Sequence, residues 1–484
     1  MNINFEKKYF KLIFNKTKNI KHKNNSYFLN INFIQKMIII LLLVFNEFKY
    51  NEKILLNSHL NKSYKKIQID LNLTFNKILK NKIKISIYYQ SIKNGGIERL
   101  TALLLNYLDK VEIFETYLLT KQPKEENEYT IPLNTKRIII NSKKNKNLIN
   151  VINKEKIDIL IYHFYNSNEI NELNELKNIK IITYNNSCFL IWLYFKSFYI
   201  YNTTYNAYRR AKYVISLVPF ENDYLFKKWG INSILMNNFI TYEYNSVIPS
   251  DLSSKTILMI GRGNDKLKRF ELGIEAMKHI IKEIPDCEMK VISNLNYVDY
   301  LKQLTIFLNL QNNIKFEGYT SMPEIYFKNA SLHIFPSISE SFGLALSETK
   351  IFGIPTILVG LDYMSIVKGG TVIIYDDNSK TIAQKAIIIL KNETLRKKLG
   401  KDARKSMKKF ENKMLLKKWI KLILSIYNGY TYYEKLKEQE KKISEEEAIN
   451  ILKNQVELLK SRIPNFNNIT IENLENFTFM ENLN

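Results

Sequence analysis

From residue 82 to about residue 375, short apolar runs alternate with stretches whose apolar positions recur at helical spacing. Lys84-Ile-Ser-Ile-Tyr-Tyr89 predicts a strand and Gly95-Gly96 a turn. Leu100, Leu103, Leu104, Tyr107 and Leu108 then fall on one face of a helix over Glu98 to Leu108. Further strands are predicted at Arg137 to Ile140, Ile157 to Tyr162, Ile179 to Tyr184 and Tyr213 to Val218. A second series runs through Thr256 to Ile260, Glu288 to Ser293, Asn313 to Phe316, Ser331 to Phe335, Pro355 to Val359 and Thr371 to Tyr375. Strand and helix alternating in this way predict parallel sheets with helices on both faces.

The fold class expected is therefore α/β: two Rossmann-like, doubly wound domains facing a cleft, with ligands bound at the carboxyl ends of the strands. Residues 1–82 form a lysine-rich extension, 83–236 the first domain, 237–427 the second with its closing helices, and 428–484 a charged helical tail. Within that tail Tyr432 to Lys460 reads as a long solvated helix. A chain of 484 residues exceeds a single core, which stops growing near about 300 residues.

The net charge of +25 invites a nucleic-acid partner, but only 9 of the 72 basic residues are arginine and no nucleic-acid motif is present. No nucleic acid is expected. Residues 1–82 carry 16 lysines against 4 acidic residues, a surplus suited to peripheral contact with an anionic membrane. The apolar run Met37 to Phe45 is far shorter than the about 20 residues of a spanning helix, so a buried or interfacial segment is expected there, with a membrane anchor as the alternative. Cys188 and Cys287 cannot build a disulfide framework and fit a reducing compartment, and a cytoplasmic, membrane-associated location is expected.

The densest chemistry lies in Phe335-Pro-Ser-Ile-Ser-Glu340-Ser-Phe-Gly343-Leu-Ala-Leu-Ser-Glu348, followed by Gly353-Ile-Pro355. A strand ends at Phe335, a loop carries Glu340, and a helix begins near Phe342 with Leu344, Ala345, Ile351 and Phe352 inward and Glu348 about two turns in. Free N–H groups and the positive dipole at such a helix start suit a diphosphate. Gly343 lets the backbone approach, and two carboxylates can accept from sugar and ribose hydroxyls. Arg262 and Lys268 follow the strand Thr256 to Ile260, where two cations can meet a leaving diphosphate; Lys266 or Arg269 could stand in for Lys268. Gly95-Gly96-Ile-Glu98-Arg99 is a phosphate loop or a plain turn. His163 ends a first-domain strand, facing the cleft or satisfied structurally.

These segments resemble glycosyltransferase family 4 (glycosyl transferases group 1), with its P-S-x-x-E-S-F-G-x-x-x-x-E motif, its G-x-P strand and its G-G-x-E-R loop. The likeness covers roughly residues 83–427. It implies the GT-B fold and retaining transfer of a hexose from a UDP- or GDP-linked donor to a glycan or lipid-linked acceptor, with no cofactor beyond that nucleotide-sugar. It places Glu340 at the donor sugar and Glu348 at the ribose. The N–H groups of Phe342, Gly343 and Leu344 lie near the phosphates, Arg262 and Lys268 on the diphosphate, Gly95 and Gly96 across from it, and His163 near the reacting carbon. No metal site is expected, because the chain holds no Asp-x-Asp triplet. Two departures stand out: Phe239 follows Asn238 where the family has a hinge glycine, and Val291-Ile-Ser-Asn294 lacks the usual glycine-rich turn. A sugar-nucleotide epimerase of the same fold, or a scaffold descended from a transferase, would share these features.

Overall fold

The computed structural model describes residues 82–429 except 94, 142–146, 164–174, 177–178, 187–197, 263–265, 295–297 and 321, together with 446, 450, 453, 454 and 457. All belong to the second of the two compact units into which the chain divides, 76–484. The extension up to residue 81, with Met37 to Phe45, Cys188 and most of the tail, lies outside the described residues. Among the described residues no helix is long and apolar enough to cross a membrane.

In the first half, β1 (Ile83–Tyr89), α1 (Gly96–Leu108), β2 (Phe114–Thr120), β3 (Lys136–Ile139), α2 (Leu148–Glu155), β4 (Ile159–Tyr162) and β5 (Lys180–Tyr184) are followed by α3 (Phe198–Arg210), β6 (Tyr213–Ser216), α4 (Pro219–Trp229) and β7 (Ser233–Leu235). The second half holds β8 (Thr256–Ile260), α5 (Phe270–Glu283), β9 (Glu288–Ile292), α6 (Asp299–Phe307), β10 (Ile314–Phe316), α7 (Glu324–Phe327), β11 (Leu332–Phe335), α8 (Leu344–Ile351), β12 (Thr356–Val359) and β13 (Thr371–Ile374). It ends with α9 (Ser379–Lys391), α10 (Glu393–Ser406), a 3-10 turn (Met407–Phe410) and α11 (Asn412–Tyr427).

The first sheet runs β3-β2-β1-β4-β5-β6-β7 and the second β10-β9-β8-β11-β12-β13. Every strand pair is parallel. Each order reverses once, between β1 and β4 and between β8 and β11. A crevice opens at such a reversal, because the loops after the two strands leave in opposite directions. The α/β fold with two parallel-sheet domains is thus as expected.

Two strands escape the apolar reading. In β2, Glu115, Thr116 and Thr120 interrupt the run. Both threonines are buried, and their hydroxyls are satisfied locally, Thr116 by Thr135 at 2.8 Å and Thr120 by the carbonyl of Gln122 at 2.8 Å. β7 is three residues long, too short to show a period.

The second core packs α5 onto β8 so closely that a Cβ on Gly273 would stand 2.3 Å from the Met259 sulfur. α11 returns to the first sheet. Trp419 meets the Tyr184 ring edge-on at 5.8 Å, and Lys180 donates to the Tyr427 carbonyl at 2.6 Å. Asn412 bonds both the N–H and the C=O of Ile240, each at 2.8 Å. Nearby Asn238 accepts from Tyr184 at 2.6 Å and Phe239 stacks on Tyr107, so this crossing is packed by side chains where a glycine hinge would be open. Cys287 is free and buried, and burial pushes its thiol up to about 12, which leaves it unreactive.

Candidate functional site

The loops at the two sheet reversals meet. After β1, Gly95 leads into α1, and a Cβ on Gly96 would reach Leu344 at 3.7 Å, so the start of α1 faces the start of α8. Glu98 in the first turn of α1 feels the positive charge of Arg262 at the end of β8. Burial pushes its carboxyl above the usual range, while its own backbone N–H and Arg262 pull the other way.

Gly343 caps α8 with φ at +78°. A Cβ there would find only ordinary contacts of 3.5 to 3.6 Å, so the left-handed backbone, not crowding, requires glycine. The helix begins at Leu344, two residues later than expected, which puts Glu348 in its second turn. Leu344 and Ala345 are half-buried at the cleft, and Leu346 takes the inward position beside Ile351 and Phe352. Phe342 is buried, with its ring against Phe410.

Glu340 forms an ion pair with Lys268. Of the three cations that could have served, Arg269 is already committed: it is buried in a left-handed conformation, donates to the Pro336 carbonyl at 2.8 Å and pairs with Asp377 at 2.7 Å. Lys266 is exposed, leaving Lys268 as the cation at Glu340. The Ile338 N–H bonds to the Leu267 carbonyl at 2.8 Å, tying the two loops together.

Glu348 is paired across the cleft with Arg99 of α1 and accepts from Thr241 at 2.7 Å. Its side chain is 3% exposed and that of Arg99 15%, so the pair is buried between the halves. The nearby carboxylate holds the Arg99 guanidinium well above its ordinary range, and the guanidinium also lies over the Tyr129 ring. In the sequence Arg99 closes the glycine loop and carries no role of its own. Its partner lies 249 residues away, and spacing cannot reveal such a contact.

His163 is 2% exposed at the end of β4. Asn186 uses its amide nitrogen on the Tyr184 carbonyl at 3.2 Å and on His163 Nδ1 at 2.7 Å, which makes Nδ1 an acceptor and leaves the proton on Nε2. That proton faces Thr101 Oγ1 at 3.3 Å, whose own proton goes to the Ile97 carbonyl at 2.9 Å. Ser341 donates to the Asn186 carbonyl at 2.6 Å, linking this group to the residue after Glu340. Both ring nitrogens are therefore engaged, and burial pulls the imidazole down to about 3.

A histidine that stays neutral when folded but protonates near 6.5 when unfolded destabilises the protein as pH falls through that window. The loss is about 1.4 kcal/mol per pH unit below the unfolded value. Urea unfolding from pH 7 to pH 5 should therefore show a flatter decline for His163→Gln than for the wild type. Parallel slopes would mean that the imidazole charges in the folded state.

Two cavities of about 380 and 350 Å³ lie elsewhere, one beside Ile152, Lys156 and Leu176 and the other beside Tyr208, Arg209 and Trp229. Neither is lined by a residue of the cluster, and the convergent charge stays in the cleft.

Known proteins bear on this arrangement. Residues 243–406 match the family described as Glycosyl transferases group 1. The chain is 27% identical over 186 residues to the poly(glycerol-phosphate) alpha-glucosyltransferase of Bacillus subtilis, covering 38% of this chain and 26% of that protein. It is 24% identical over 375 residues to an uncharacterized glycosyltransferase of Methanocaldococcus jannaschii, covering 71% of this chain and 96% of that one. The chain spans 26% to 35% of the length of the first curated relatives it matches. Among solved structures, Anabaena HepE in complex with UDP and glucose superposes with a TM-score of 0.58 at 16% identity, over 71% of this chain and all of that one. The chain has a GT-B fold, and its residues 243–406 carry the sequence pattern of glycosyl transferases group 1.

Proposed function

We propose that the protein is a retaining glycosyltransferase of family 4, moving a hexose from a UDP-linked donor to an acceptor hydroxyl, with side chains rather than a metal ion meeting the diphosphate. The observation that carries this reading is the convergence of Arg262, Lys268, the start of α8, Glu340 and Glu348 at two facing sheet reversals. The HepE structure with UDP and glucose supports a nucleotide-sugar in this fold.

In this reading the donor diphosphate lies over the N–H groups at the start of α8, between Arg262 and Lys268. These groups stabilise the charge that builds as the bond from the sugar carbon to the phosphate oxygen breaks. Lys268 already touches Glu340 and so can bridge that carboxylate to a phosphate oxygen, while the second Glu340 oxygen accepts from sugar hydroxyls. Glu348 accepts from the ribose, exchanging its bond to Arg99 for hydroxyls. The leaving phosphate oxygen takes the proton of the incoming hydroxyl, and the new bond forms on the same face. His163, neutral and fixed through Asn186, lines the sugar side.

Thermal unfolding with UDP, GDP, ADP and CMP tests the reading. A ligand at about a hundred times its dissociation constant adds about 2.7 kcal/mol, a shift of several degrees. UDP should raise the midpoint of the wild type and raise that of Arg262→Ala much less. If none of the four shifts the wild type, the donor assignment falls.

A further inference from the structure

The loop after β12, residues 360–368, carries no motif in the sequence, yet it touches the loop that holds Glu340, the first domain and the connection between the halves. The Tyr363 hydroxyl holds both backbone groups of Glu340, accepting from its N–H at 3.3 Å and donating to its carbonyl at 2.9 Å. The Tyr363 ring stands edge-on to Phe220, buried in α4 of the first domain, with centroids 5.4 Å apart at 89°. The next residue, Met364, is buried with its sulfur beneath Gly343, 3.6 Å from where a Cβ there would stand.

The loop is itself anchored. Lys350 of α8 is fully buried, and its ammonium donates to the carbonyls of Ile366, Val367 and Lys368, three acceptors for three protons. Ser365 donates to Asn237, in the connection between the halves, at 2.9 Å. Glu340 needs the direct contact from Tyr363, because it sits in a loop without regular structure and a carboxylate must be held within about 0.5 Å to discriminate hydroxyls.

We propose that Tyr363 is a positioning residue for Glu340: its hydroxyl fixes the peptide that aims the carboxylate at the donor sugar, and its ring ties that aim to the first domain. This rests on the donor reading above. Tyr363 acts on the sugar end of the site and not on the nucleotide end, which Arg262 and Glu348 serve.

Tyr363→Phe removes the hydroxyl and keeps the ring against Phe220. The full-length variant is titrated with UDP, UDP-glucose and UDP-N-acetylglucosamine, and release of UDP from the two sugar nucleotides, to water or to acceptor, is timed. Expected are UDP affinity within twofold of the wild type, a gain in affinity from UDP to the preferred UDP-sugar that shrinks at least fivefold, and UDP release slowed at least tenfold. In a Glu340→Gln background, Tyr363→Phe should remove no further sugar-dependent affinity. Ser365→Ala serves as the control, since it loosens the same loop without touching Glu340 and should leave the sugar-dependent gain intact.

Unchanged turnover in Tyr363→Phe overturns the proposal, as does UDP affinity falling in step with turnover or an equal loss in Ser365→Ala. A wild type that binds UDP and both sugars poorly refutes the donor reading, and the Tyr363 role falls with it. Normal wild-type binding with a neutral Tyr363→Phe refutes the Tyr363 role alone.

Discussion

Glu340→Gln should lower turnover at least a hundredfold while the protein unfolds within about two degrees of the wild type. The carboxylate sits on a loop held by other groups: Arg269 on the Pro336 carbonyl, Leu267 on Ile338, Tyr363 on the Glu340 backbone and Ser341 on Asn186. Its removal therefore costs the fold little, and glutamine fills the same space. What is lost is the charge that pairs with Lys268 and that, on the proposed reading, accepts from the sugar as positive charge develops on the ring. A hundredfold corresponds to about 2.7 kcal/mol, the low end for one transition-state contact in comparable sites. UDP should still bind, since Lys268 is freed to reach the phosphates. Arg262→Ala should lose turnover to a similar degree but lose UDP affinity with it, because the proposed reading assigns that guanidinium to the nucleotide. Near-normal turnover in Glu340→Gln would remove the carboxylate from the chemistry, and identical signatures in the two variants would remove the division between sugar and nucleotide ends.

How much of this was legible in the sequence follows from the range of each signal. The strand Thr256 to Ile260 and the Pro336 to Glu348 string are local: apolar runs, a glycine requiring positive φ, and two carboxylates at fixed spacing. They were placed within two residues. β2 was not found, because its buried threonines satisfy their hydroxyls with a neighbouring side chain and a local carbonyl, contacts that composition does not display. Lys268 was favoured only by its place in the motif, with Lys266 and Arg269 as possible stand-ins, until the fold showed Arg269 turned under Pro336. Tyr363 carried no motif at all, since its partner is a peptide 23 residues away and its role depends on the hydroxyl meeting main-chain atoms. Arg99 shows the same limit at longer range. Backbone-directed and cross-domain contacts have no sequence period, so the local candidate segments were readable and their supports were not.

The support with the largest expected effect on stability is the Arg99–Glu348 pair. Glu348→Ala leaves a guanidinium buried between the halves with its carboxylate gone, a loss of about 3–5 kcal/mol for a pair of this burial, and unfolding in urea should register it in full. Arg99→Met should cost less, because Thr241 still donates to Glu348 at 2.7 Å. The double variant Arg99→Met, Glu348→Met should recover most of the stability, since two apolar side chains of similar volume remove both charges from the interior together. The coupling between the two positions, read from the cycle of single and double variants, then measures the pair itself. Function separates from stability in the same series. If Glu348 serves the ribose, the double variant folds well and gains nothing from UDP, whereas Arg99→Met alone binds UDP more tightly than the wild type, because the carboxylate no longer has to leave a cation to meet the ribose hydroxyls. A UDP shift that survives in the double variant would leave Glu348 with a purely structural part, as the buried post to which the first domain is fastened.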